Sequence, residues 1–302
     1  MELPFTTVDV FTDTPFAGNP LAIVTIPKGT TLSQSQKQAI AREFNYSETT
    51  FVHDADGPER TFDIFTPEAE LPFAGHPTVG TAVFLRPQGV TILRAKAGPI
   101  ALEPTGPDSV RAEIPHSVRL HQKRLRDLGP GPFTSSSAAV AAAENDAPIF
   151  SIVNGMTFIL TELPSLEALA TVTVGPANLP PAKLADQGWQ DTFISTYHFV
   201  RLGTETVDGK TVHKIRARLV TPSLEDPATG SAASALTAYL SLHALDGEAA
   251  SFEITQGVEM GRESHIFIDT TVDVSSEGWT LKTLHLGGRA TKVMTGVVNV
   301  RV

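Results

Sequence analysis

Two stretches of this chain carry the same unusual mixture of residues that could do chemistry: FTPEAELPFAGHPTVGTAVFL near residues 65 to 85, and VTPSLEDPATGSAASALTAYL near 220 to 240. Laid over one another with His76 on Asp226, they align at a shift of 150 positions in a chain of 302. In each, a polar residue and a Pro precede a run of small and apolar residues, the pattern of a helix start. The first turn of a helix offers backbone N–H groups without intrahelical acceptors and the positive end of the helix dipole, a combination that binds carboxylate or phosphate. Gly75 and His76 in one stretch, and Gly230 and Ser231 in the other, are therefore candidate anion-binding positions. A purely conformational use of these glycines in tight turns stays open.

The chain has no cysteine, which removes thiol nucleophiles, disulfides and Cys-based metal sites. Acid–base work falls to carboxylates, His, Lys or Tyr. None of the nine His stands in an H-E-x-x-H or H-x-H spacing, so no metal site is expected. No G-x-G-x-x-G opens a helix after a strand, and no G-x-S-x-G elbow is present. Asp208-Gly209-Lys210-Thr211 ends like a phosphate-binding loop, but Thr204 stands where its first Gly is required, and a hairpin turn is the better reading. Catalysis without metal, nucleotide or thiol is what remains.

The elements that must position these residues repeat as well. Each stretch follows an apolar alternating run that reads as a strand (Arg60 to Phe65, Lys214 to Val220), and each helix, about 77–86 and 227–243, is apolar on nearly every face. A helix apolar all round must be surrounded by protein. The expected fold is thus α+β, with two pseudo-symmetric halves (1–128 and 129–302), each a curled, mostly antiparallel sheet or barrel around one central helix. The final strand is free to cross back to the first half, and the repeat places a cleft between the halves. Further strands are expected at Thr6 to Phe11, Leu21 to Ile26, 90–102, 110–114, 149–160, 192–202, 251–256 and 264–270, with a closing pair near 280–301. Ser33 is a candidate N-cap for a helix reaching Phe44, and the Pro/Gly/Ser/Ala-rich stretch Gly129 to Pro148 is the candidate linker.

With 33 acidic against 23 basic side chains, the net charge is −10, which argues against nucleic acid or an anionic membrane as partner. Met1-Glu2-Leu3-Pro4 lacks the features of a secretion signal, and no apolar run reaches membrane-spanning length. A cytoplasmic protein is expected.

The phrases DVFTDTPFAGNPLAIV, NYSETTFV, FTPEAELPFAGHPTVG, EDPATGSAA, QGVEMGRESHI and GGRATKVMTGVV, in order from about Val8 to Val298, resemble the phenazine-biosynthesis PhzF family, within the diaminopimelate-epimerase-like superfamily. The resemblance implies two similar halves with the active site between them. It also implies a cofactor-free isomerisation that moves a proton between carbons of a small carboxylate-bearing ring. It places the catalytic carboxylate of the S-E-T motif on Glu48, the His of G-H-P on His76 and the Asp of E-D-P-A-T-G on Asp226. Asn19, in A-G-N-P, is a candidate lining residue. Where thiol epimerases of the superfamily use two Cys, this chain has none, in keeping with a single-carboxylate isomerase.

The chemistry suits the residues. A carboxyl between apolar neighbours such as Tyr46 and Phe51 would have its pKa raised and could take up and return a proton near neutral pH. His76 could donate to or position the group beside the moving proton, and Asp226 could bind an amino or hydroxyl group or fix the His76 tautomer. The structural alternatives are a surface carboxylate for Glu48, a satisfied turn histidine for His76 and a helix N-cap for Asp226. An epimerase or racemase pairing Glu48 with another acid, and a non-catalytic binding protein of the same fold, are the competing functions. The expected partner is the small-molecule substrate, and a homodimer is left open.

Overall fold

The computed structural model describes residues 1–129, 137–173, 179–221, 224–276 and 278–300. The chain divides into two compact units, Met1–Ile114 with Leu286–Val302, and Pro115–His285. The division falls ahead of the Gly129 to Pro148 stretch.

The first unit is formed by β1 (Glu2–Val10), β2 (Asn19–Ile26), α1 (Gln34–Phe44), β3 (Thr49–His53), β4 (Glu59–Phe65), the two-residue β5 (Glu70–Leu71), α2 (Gly75–Leu85), β6 (Ile92–Ala95), β7 (Gly98–Gly106) and β8 (Ser109–Glu113). The second has β9 (Arg119–Leu120), α3 (Ala138–Asp146), β10 (Ile149–Val153), β11 (Met156–Glu162), α4 (Leu166–Ala170), α5 (Pro181–Leu184), β12 (Phe193–Val207), β13 (Lys210–Val220), β14 (Glu225–Asp226), α6 (Gly230–His243), β15 (Ala249–Gln256) and β16 (Ser264–Ser275). The last strand, β17 (Gly278–Asn299), begins in the second unit and ends in the first.

In the first unit the pairings run β1–β2–β3–β4–β6–β7–β8–β17 and back to β1. Eight strands thereby close into a barrel, which leaves no open sheet edge. Its axis is occupied by α2, whose residues from Gly75 to Ala82 are all buried. An 11-residue helix with so little polar surface is stable only inside such a wrapping. Gly80 is required by the closeness of that wrapping, because a Cβ there would lie 2.6 Å from Val10 and 2.7 Å from Leu21 side-chain carbons. Alternation divides β3 between two faces. Thr50 points inward, its hydroxyl 3.1 Å from that of Thr81 on α2. Phe51 points outward into a cluster with Phe65, Ile40 and Ala41 that seats α1 on the barrel wall. Ser33 caps α1 as expected, in a reciprocal capping box with Gln36.

The second unit repeats this order of pairings. The parallel pairs β2–β3 and β4–β6 have counterparts in β11–β12 and β13–β15, and the short antiparallel bridge β4–β5 in β13–β14. Helix α6 is the buried counterpart of α2.

Several elements depart from the sequence reading. Residues 149–160 are not one strand but the hairpin β10–β11, which turns at Gly155 with φ 102°. The closing pair is a single continuous strand, β17. Part of the candidate linker is helix α3, while its residues 130–136 lie outside the described residues. Asp208 and Gly209 do form a hairpin tip, with φ 49° and 78° as a type I′ turn requires.

The alignment of the two phrases is also corrected. Ile64 pairs with Leu71 and Leu219 with Asp226. Thr66 and Thr221 close the same turns onto Ala69 and Leu224. The helices begin at Gly75 and Gly230, rather than at Pro77 and Pro227. The structural shift is therefore 155 positions, not 150. The position matching Asp226 is Leu71, and the one matching His76 is Ser231. The short insertion-free match of H-P-T-V-G to D-P-A-T-G was misleading because the Pro lies inside α2 but precedes the N-cap of α6.

Candidate active site

Glu48 ends the turn between α1 and β3. Asn45 stops the helix in a left-handed conformation, φ 52°, and the chain reverses through Tyr46 and Ser47. By strand alternation Glu48 shares the inward face of Thr50, which aims its carboxyl at the first turn of α2. There its Oε2 lies 3.3 Å from Nδ1 of His76, the second residue of that helix. Both side chains are enclosed, with relative exposures of 17% for Glu48 and 6% for His76. Loss of hydration on burial pushes the Glu48 carboxyl up to about 7, and a hydrogen bond from Ser47 opposes this in part. Phe51, expected to be an apolar neighbour of Glu48, stands on the other face of β3, in the cluster beneath α1. Asn19 opens β2, is buried, and accepts a long hydrogen bond of 3.4 Å from the Ser47 hydroxyl. The first unit thus brings Glu48, His76, Asn19 and Gly75 to one end of α2.

The second unit assembles Asp226, Gly230 and Ser231 at the corresponding end of α6. Asp226 is not the helix N-cap; that position is Thr229. Instead the Asp226 carboxylate ties the approach to the helix, accepting from the Ala228 N–H (3.4 Å) and from the Thr229 hydroxyl (2.6 Å). The preceding residue, Glu225, is fixed by Arg218, which donates through Nε and Nη2 to both carboxylate oxygens (2.7 and 2.9 Å) and through Nη1 to the Leu169 carbonyl. Behind Asp226 lie two fully buried side chains that the sequence reading did not single out, Gln256 and Tyr197. The Gln256 amide donates to the Asp226 carbonyl (2.8 Å) and accepts from the Tyr197 hydroxyl (2.9 Å). Burial, and then the negative charge of Asp226, hold the Tyr197 phenol well above its ordinary pKa. Gln256 belongs to a phrase, QGVEMGRESHI, that pointed to a family but to no role, and Tyr197 sits in a strand without a signature.

Comparison with known proteins agrees with this architecture. The family profile of the phenazine biosynthesis-like proteins (PhzC-PhzF) matches residues 8–296. An uncharacterized isomerase of Mesorhizobium japonicum is 36% identical, covering 95% of this chain and 96% of its own. The trans-2,3-dihydro-3-hydroxyanthranilate isomerase of Pseudomonas fluorescens is 32% identical, covering 95% and 98%. Among solved structures, a PhzF-family protein of Bacillus anthracis superposes with a TM-score of 0.73 at 23% identity, covering 99% of this chain and all of that one. A hydroxyproline epimerase of Agrobacterium vitis superposes at 0.59 with 13% identity, covering 98% and 92%. These last two likenesses concern the fold. The match along nearly the whole chain, and relatives named for the same class of reaction, establish that this protein is an isomerase belonging to the phenazine biosynthesis-like (PhzC-PhzF) family.

Proposed function

We propose that the protein moves a proton between carbon atoms of a small carboxylate-bearing ring metabolite, with Glu48 as the single acid–base group. The observation that carries this reading is the enclosed Glu48 carboxyl, brought to about 7 by burial and set 3.3 Å from His76. A group with that pKa is an effective base when ionised and an effective acid once protonated, at the same pH. Ionised Glu48 takes a proton from one substrate carbon. The C–H electron pair moves into the adjacent π system, and the protonated carboxyl returns the proton to another carbon as the double bond shifts. Glu48 ends as it began, and no co-reactant is consumed.

His76 donates a hydrogen bond that steadies charge beside the reacting carbon. The first turn of α2, at Gly75, supplies N–H groups for the substrate carboxylate, and Asn19 lines the site through Ser47. In the second unit, the first turn of α6, at Gly230 and Ser231, offers N–H groups of the same kind, and the Asp226 carboxylate offers an acceptor for an N–H or O–H donor of a ring ligand.

The residues matching Glu48 and His76 in the second unit support one acid–base group rather than a symmetric pair. By the pairings Thr49↔Phe65 and Thr196↔Val220, Glu48 corresponds to Ser195 and His76 to Ser231, both hydroxyls. The name of the Pseudomonas relative supplies the assay substrate, trans-2,3-dihydro-3-hydroxyanthranilate. Wild-type protein is expected to shift its ring double bond, followed by ultraviolet absorbance and proton NMR. Glu48→Gln keeps the shape and loses the titrating oxygen, and should lower kcat by about two to four orders of magnitude. A Glu48→Gln protein working near the wild-type rate would end this assignment.

A further inference from the structure

The polar network behind Asp226 is not demanded by the fold. Its members are Asp226, Thr229, Gln256 and Tyr197, and each has a topological counterpart in the first unit. Asp226 corresponds to Leu71 and the N-cap Thr229 to the N-cap Ala74. Tyr197, opposite Leu219, corresponds to Thr50, opposite Ile64. Gln256 follows the pair Arg216↔Thr255 as Ala95 follows Thr61↔Arg94. The same corner is thus built from Leu, Ala, Ala and Thr in one unit, while in the other a fully buried amide and phenol have been introduced. Buried polar groups cost stability unless every hydrogen bond is made. The topology itself does not require this network.

Its hydrogen bonds run in a fixed direction. The Gln256 amide can turn only one way. The Asp226 carbonyl, which can only accept, must face Nε2 (2.8 Å), and the Thr229 backbone N–H, which can only donate, must face Oε1 (3.2 Å). The second N–H of the amide then goes to the Thr229 hydroxyl (3.0 Å), and the Tyr197 hydroxyl completes Oε1 (2.9 Å), so all four hydrogen-bonding positions of the amide are filled. Because the Thr229 oxygen already accepts from Gln256, its one hydrogen is directed to Oδ2 of Asp226, at 2.6 Å. The chain of donors runs in a single direction, from the amide through the hydroxyl to the carboxylate.

We propose that Gln256 is a positioning residue that works through Thr229 to hold the Asp226 carboxylate in the rotamer and donor-accepting state that recognises an amino or hydroxyl group on a carboxylate-bearing ring ligand. This rests on the reading of Asp226 given above. Gln256 itself does not touch substrate; it sets the direction in which the carboxylate accepts.

The test uses the full chain and two probes, anthranilate and benzoate, which share a ring carboxylate but differ in the amino group. Thr229→Val, isosteric and without the hydroxyl, and Gln256→Glu, isosteric and without the two N–H donors, should each weaken anthranilate binding at least about tenfold by calorimetry while changing benzoate less than about threefold. Thr229→Ser should restore anthranilate to within about threefold of wild type, and in an Asp226→Asn background Thr229→Val should cost less than about threefold further. Equal losses for both probes, or a full loss that persists without the Asp226 carboxylate, would overturn the proposal.

A wild type that binds neither probe would count against the proposed function instead. The positioning link would then be judged by urea unfolding of the four proteins of the Thr229→Val and Asp226→Asn cycle. Coupled losses of stability would uphold it, and additive ones would overturn it.

Discussion

At the scale of single residues, the raised pKa of Glu48 makes a prediction that needs no substrate. Between its ordinary value of 4.5 and about 7 the folded protein holds a proton on Glu48 that the unfolded chain has released. Stability from this group is therefore fully present below about 4.5 and falls as pH rises through 7. A displacement of that size corresponds to about 3 kcal/mol. Glu48→Gln removes the dependence, so its stability relative to wild type should be higher at pH 8.5 than at pH 4.5 by up to about 3 kcal/mol, measured by urea unfolding. A difference that does not change with pH would show that the carboxyl is not desolvated. The sequence made Glu48 legible only through the phrase that contains it, because its enclosure depends on which face of β3 points inward. Phe51 illustrates the difficulty: three positions away and apolar, it is on the wrong side of the strand. Gln256 and Tyr197 were not legible at all, since their meaning lies in partners contributed by separate elements.

At the scale of elements, both buried helices could be read from composition, because a helix of small and apolar residues on every face has to be wrapped. Their starting points could not. Pro77 and Pro227 look equivalent in the sequence, but one is the third residue of α2 and the other stands two residues before the N-cap of α6. The strand pairings and turn hydrogen bonds, which are non-local, decide the register. How tightly α2 is wrapped can be tested at Gly80. Adding a methyl group there forces it against Val10 and Leu21 at 2.6 and 2.7 Å, and overpacking of this kind costs about 1–3 kcal/mol. Gly80→Ala should lose that much in urea unfolding despite the better helix propensity of Ala. A gain in stability would mean that the barrel yields easily around its helix.

On the scale of the whole molecule, the chain ends are part of the architecture. Glu2 pairs with Asn299, and β17 fills the gap between β1 and β8. Deleting residues 286–302 should expose two strand edges and open the first unit, with loss of cooperative unfolding and a tendency to aggregate. A truncated protein that keeps one sharp transition at the wild-type midpoint would show that the ring is dispensable. The sequence indicated strands near both ends, but strand pairing between residues almost 300 positions apart leaves no local trace.

That closing strand also sets a timetable. A protein made from its amino end has all of residues 1–114 available early, yet the barrel they begin cannot be completed until residues 286–302 leave the ribosome. The intervening 115–285 segment is translated first, a wait on the order of ten seconds or more at ordinary elongation rates. Through that interval the nascent first unit has two unsatisfied edges, while the whole of the second unit is being made. The half that carries Glu48 and His76 is made first and finished last.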